Sequence, residues 1–135
     1  MPALSSFDYA VIRVVPRVER GEFVNAGIIL FSRTLRFLAA RVALDRARVR
    51  SLAPGVDLQE MEDHLACIPL ICAGDPKGGT VASWPQAARF HWLVAPRSTV
   101  IQVSPVHSGL TADPASTLEE LMERLVQPVE RPPAP

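Results

Sequence analysis

Two runs rich in β-branched and apolar residues, Tyr9-Ala-Val-Ile-Arg-Val-Val15 and Glu22 to Phe31, bracket a short polar stretch that opens with Pro16. Pro16 carries no N–H for a strand ladder and steers Val15 into extended geometry, so the first strand has to stop there. Arg17 to Gly21 supplies the turn, and the segment Tyr9 to Phe31 is therefore expected to form a pair of strands. Gly27, inside the second run, marks a bulge or a place where another backbone comes close. After Ser32-Arg33-Thr34, the run Leu35 to Val42 predicts a third antiparallel strand, which makes the front third of the chain a β-meander.

The remainder changes period from two to 3.6. Asp45 is placed to cap a short helix that ends near Leu52, before Ala53-Pro54-Gly55. Asp57 and Glu60 have capping-box spacing, and Leu58, Met61, Leu65, Ile68 and Cys72 follow at steps of three and four, so a second helix is expected with a kink or early end at Pro69. Ser83 with Gln86 repeats that spacing and predicts a helix to about Ala95, with Trp84, Ala88, Trp92 and Ala95 on one side. Ser98 to Val103 alternates like a half-buried strand, and Ser104-Pro105 breaks it. Asp113-Pro114 opens the last helix, whose stripe is Leu118, Leu121, Met122, Leu125 and Val126. These elements imply one α+β domain over residues 1–127, with a small antiparallel sheet of about four strands against three or four helices. The Pro-rich residues 128–135 form a tail expected to be disordered or polyproline-like.

Composition removes several functional classes. Lys+Arg and Asp+Glu each number 14, so no net field draws the chain to nucleic acid or an anionic membrane. A single lysine among those cations, with 13 prolines, is the mark of a GC-rich bacterial genome. The longest apolar run, Ile68 to Ala73, falls far short of the roughly 20 residues a spanning helix requires. Met1 to Asp8 has neither a basic leader nor an apolar core, which predicts a cytoplasmic address. Cys67 and Cys72, five residues apart on one predicted helix, suit neither a disulfide nor a CxxC pair and are expected to be buried thiols.

Chemistry-bearing residues gather in two places. One is Arg13 with Glu22 and Asn25, for which the plainest expectation is an Arg13–Glu22 ion pair with Asn25 holding the turn. The sharper alternative is a polar site in which Arg13 clamps an anion and Glu22 acts as base or ligand. The other is Arg97-Ser98-Thr99 followed, beyond the predicted strand, by His107 and Ser108. At about 3.3 Å per residue a strand keeps Arg97 and His107 apart unless the loops fold back. No Gly-x-Ser-x-Gly elbow accompanies the serines and histidine, and no Walker loop or HExxH is present. No metal and no cofactor is expected. His64, beside Asp63, reads as a solvated histidine, and Arg41, Arg46, Arg48 and Arg50 form a basic strip that ranks nucleic acid as a minor reading.

The run Tyr9-x-x-Ile12-Arg13-x-Val15-Pro16, then Arg20-Gly-Glu-Phe-Val-Asn-Ala-Gly-Ile-Ile-Leu30, resembles the opening signature of an uncharacterised bacterial family, domain of unknown function 3037. Phe90-x-Trp92-Leu93-x-Ala95-Pro96-Arg97-Ser98-Thr99 and Ser104-Pro-Val-His-Ser-Gly-Leu110 are similar to later stretches of it. The resemblance implies no reaction. It implies recurring polar positions at Arg13, Glu22, Asn25, Arg97, Ser98, Thr99 and His107, and a genomic neighbourhood beside a HipA-like kinase. The expectation is thus a non-enzymatic accessory or interaction module, with that kinase as partner and a homodimer through an uncovered sheet edge. The alternatives are a small hydrolase or nuclease using Glu22, Arg13, Arg97 and His107, and a nucleic-acid-binding module.

Overall fold

A computed structural model describes residues 3–128. Strand β1 runs Ser5–Val14, β2 Val24–Ser32 and β3 Phe37–Val42, the expected meander, with β1 beginning four residues earlier than its β-branched core. Two more strands follow late in the chain, β4 at Ile101–Val103 and β5 at His107–Thr111. All pairings are antiparallel, in the order β3-β2-β1, with β4 and β5 sharing the far side of β1. The α+β expectation holds, but the sheet has five strands where four were expected. His107-Ser-Gly-Leu-Thr111 has neither the β-branched run nor the alternation that identifies a strand from sequence, and it is extended because β1 is long enough to pair with it.

The break between β4 and β5 is closed by a side chain. The Ser104 amide donates to Val11 O at 2.8 Å, and the Val11 amide donates to the Ser104 hydroxyl at 2.8 Å. The ladder breaks at Ser104-Pro105, and the hydroxyl of Ser104 accepts the Val11 amide in place of a ladder carbonyl. That explains why this serine is 4% exposed.

Gly27 is both things its position implied. Ile12 pairs with Gly27 and Arg13 with Asn25, which leaves Ala26 as the extra residue of a bulge. A Cβ on Gly27 would lie 2.4 Å from Arg41 O and 2.9 Å from Ile12 Cδ1. The bulge puts Ala26 and Gly27 on the same side of the sheet and turns Asn25 to the other.

Each face has its own apolar core. Helices α1 (Arg46–Leu52), α2 (Leu58–Ala73) and α3 (Gln86–Leu93) cover one, where Ile12, Val14, Ile29 and Phe31 meet Met61, Leu65, Ile68, Phe90 and Leu93. Helix α4 (Pro114–Leu125) covers the other, where Val11, Ile28 and Leu30 meet Leu118, Leu121, Met122 and Val126. The N-caps of α1, α2 and α4 form as expected: Asp45 accepts from the Arg48 amide at 3.1 Å, Asp57 from Glu60 at 3.0 Å and Asp113 from Ser116 at 3.3 Å. The fourth expected cap does not form. Residues Thr80–Ser83 make a 3-10 turn in which the Ser83 hydroxyl donates to Thr80 O, and α3 starts after Pro85 with no side-chain cap.

Nor does α2 stop at Pro69. It continues to Ala73, because proline removes one ladder donor while burial of Ile68, Ile71 and Cys72 holds the last turns in place. Gly74, at φ +72°, then ends it with its amide on Ile71 O at 3.1 Å. Among the described residues no helix is long and apolar enough to cross a membrane. The expected proline-rich tail, beyond Pro128, lies outside the described residues.

Candidate functional site

Three helix C-termini are held by side-chain donors from outside the helix, and this decides what two of the expected site residues, Asn25 and Arg97, do. The last carbonyls of a helix have no partner within it and take donors wherever the fold supplies them. Arg89 donates from Nη1 to Ile71 O at 3.0 Å and to Cys72 O at 2.7 Å, at the end of α2. Arg97 donates from Nη1 to Leu93 O at 3.1 Å and Ala95 O at 3.3 Å, and from Nη2 to Trp92 O at 2.6 Å, at the end of α3. Asn25 donates from Nδ2 to Leu125 O at 3.0 Å, at the end of α4.

The Arg13–Glu22 pair does not form. Glu22 instead bonds Arg20, two residues back in the turn, and holds that guanidinium's pKa above its ordinary value by hydrogen bonding and charge. Arg13 projects onto the α4 face between its cross-strand neighbours Asn25 and Gln102, with its guanidinium 4.1 Å from the centre of the Phe23 ring. The physical reason is the alternation of β1. Arg13 sits on the strand itself, whereas Glu22 belongs to the exposed turn, within easier reach of Arg20. Arg13 Nε and Asn25 Oδ1 are both enclosed and have no hydrogen-bond partner among the described residues, one a donor and one an acceptor on adjacent strands.

His107 lies on β5 opposite Tyr9, and their rings are 5.3 Å apart. Arg13 is four residues further along β1, about 13 Å at strand rise. Ser98 is exposed, and Thr99 donates its hydroxyl to Ile101 O at 2.9 Å. Arg41 pairs with Glu119 at 2.7 Å and Arg46 with Glu62, so carboxylates interrupt the arginine strip.

Of the expected set, Arg97 and Thr99 line a common concavity. It is a cavity of about 210 Å³ between α2, α3 and β4. Ile68, Ile71 and Leu93 form its apolar wall, with Ile101 and Val103 from β4. His64 and Cys67 stand at one rim, three residues apart on α2, and Trp92 with Arg97 at the other. The Arg97 guanidinium lies 4.5 Å from the centre of the Trp92 ring, which remains 40% exposed. Arg13, Glu22 and His107 line none of this space.

Sequence reasoning missed two lining residues. Cys67 was expected to be buried, yet it is exposed, while Cys72 is enclosed and its thiol pushed up to about 12 by loss of solvent. The α2 pattern carried the correction: Cys72 continues the stripe of Met61, Leu65 and Ile68, and Cys67 falls one residue off it. His64 is exposed as expected, 4.0 Å from Glu60, but it also borders the cavity. Trp84 and Trp92 are only partly covered, and α3 turns Phe90 and Leu93 into the core.

A family model described as "Protein of unknown function (DUF3037)" matches residues 9–126, which takes in every strand and helix but the first residues of β1. No curated protein and no solved structure matches the chain.

Proposed function

Since the chain belongs to that family, DUF3037, whose description carries no activity, we propose from the geometry that it is a non-enzymatic accessory module, binding a protein partner in the groove between α2, α3 and β4. One observation carries this reading. Trp92 stands exposed on an apolar groove and is held from behind by an arginine whose own N–H groups are tied to three carbonyls. An aromatic fixed before binding loses little side-chain entropy when a partner covers it, and tryptophan and arginine are the residues that dominate binding energy at interfaces.

The charge at the rim defines what the partner offers. Arg97 spends three of its five N–H groups on carbonyls and has no carboxylate partner among the described residues, so Nε–H and one Nη2 hydrogen remain. An apolar side chain flanked by a carboxylate fits both features. A HipA-like kinase, expected from the family's genomic neighbourhood, is the partner we propose, in the cytoplasm.

Calorimetric titration of the purified kinase with the purified chain tests the reading. Binding weakened at least about tenfold by Trp92→Ala is the expected result. An absence of binding, or equal binding by wild type and Trp92→Ala, refutes it.

A further inference from the structure

Among the described residues the far edge of the sheet is open, and its hydrogen-bonding phase is set by β1. Val11 exchanges bonds with Ser104, and the Val15 amide donates to Val100 O at 2.7 Å, so the odd residues of β1 turn their backbone groups toward β4 and β5. Tyr9, Phe7 and Ser5 continue that alternation opposite His107, Gly109 and Thr111. Those three residues of β5 therefore spend their N–H and C=O groups on β1, while Ser108 and Leu110 direct theirs outward. Neither lysine nor proline lies within β5 to blunt this edge, and the chain runs through it without a bulge.

We propose that β5 is the edge by which two copies of this chain join, antiparallel about a two-fold axis at Gly109. The outward groups sit symmetrically on either side of that residue, so Ser108 of each copy exchanges two bonds with the partner's Leu110, four in all. Gly109 brings no side chain to the axis, because the Phe7 ring already fills that space: a Cβ there would lie 2.8 Å from Phe7 Cζ.

Charge and apolar surface agree with this pairing. His107 is the only ionisable side chain in β5, and the axis sets it opposite the partner's Thr111 instead of against a second imidazole. Leu110 and Leu4 are the most exposed large hydrophobic residues described, at 66% and 63%. Strand alternation puts both on the side of Ser6, the cross-strand neighbour of Leu110, and the two-fold brings the four leucines together on one face. This proposal does not depend on the groove, since no residue of β5 lines it.

Light scattering coupled to gel filtration tests it on the full chain, with amide hydrogen exchange as a second readout. The wild type is expected to be a dimer at about 100 µM, with slow exchange at Ser108 and Leu110. Leu110→Pro removes the outward donor and the leucine without taking a bond from β1, and Leu110→Lys adds charge at an exposed position. Both are expected to be monomeric and still cooperatively folded, with a melting temperature that, unlike the wild type's, does not rise with protein concentration. Where Leu110→Pro fails to fold, Leu110→Lys decides the matter. A monomeric wild type, a dimeric Leu110→Lys, or fast exchange at both amides overturns the proposal. Groove binding, read with Trp92→Ala, stands or falls separately.

Discussion

Ser104→Ala isolates a side chain that completes the β1 ladder at Val11. The hydroxyl accepts the Val11 amide at 2.8 Å in a site where Ser104 is 4% and Val11 8% exposed, so water does not replace it. The Ser104 amide keeps its own bond to Val11 O, and the bond from the hydroxyl to Pro105 O is recovered by solvent at an exposed proline. The loss is one hydrogen bond with its donor left buried, about 1–3 kcal/mol. Removing one oxygen opens almost no cavity, so that term dominates. With a urea slope of about 1–3 kcal/mol per molar, the midpoint of unfolding falls by roughly 1 M. Ser108→Ala is the control: its hydroxyl bonds Asp8 at 2.6 Å on the exposed surface, and its loss costs under about 0.5 kcal/mol. In native-state hydrogen exchange the Val11 amide of Ser104→Ala loses protection while Ile12 keeps it. Equal unfolding midpoints for the two variants refute the reasoning, because they mean that Val11 finds another acceptor.

Gly27→Ala forces a methyl to within 2.4 Å of the Arg41 carbonyl and is expected to destabilise by more than about 3 kcal/mol, read as loss of soluble protein or a large drop in melting temperature. A thiol reagent at neutral pH should modify one cysteine in the native chain, Cys67, and two after unfolding, since Cys72 is enclosed with its thiol pushed up to about 12; two fast thiols in the native state contradict the burial. The raised Cys72 value also has a sign: its contribution is complete below the free-thiol range and is lost as pH rises from about 8.5 toward 12, so Cys72→Ala should flatten the alkaline end of a stability profile. Asp113 works at the other end. The Ser116 hydroxyl and amide hold its carboxyl below the usual range, so its stabilisation is present above the ordinary carboxylate pKa and lost as pH falls through its folded value. Asp113→Asn should therefore remove acid dependence that a melting series from pH 2 to 6 detects.

Local chemistry made much of this fold legible. Pro16 ended a strand, the aspartates at 45, 57 and 113 capped helices, Gly27 announced a bulge, and the α4 stripe identified the face that covers the second core. Each signal acts within a few residues, so one chain segment contains both cause and effect. The strand β5 and the fate of Arg13 were not legible in that way, because each depends on what another element brings alongside.

A sequence shows that Arg97 follows a helix and that Arg13 lies on a strand. It does not show that the end of α3 would claim three of one guanidinium's hydrogens, or that Phe23 would lie beneath the other. By itself the sequence determined the strands of the meander, the capped helices and the family, since propensity, capping and periodicity are local. The tertiary structure alone decided that polar positions recurring along the chain would be spent holding helix ends and turns, and that an exposed tryptophan would border an apolar groove. Buried donors and acceptors have to be satisfied by whatever packing brings within reach.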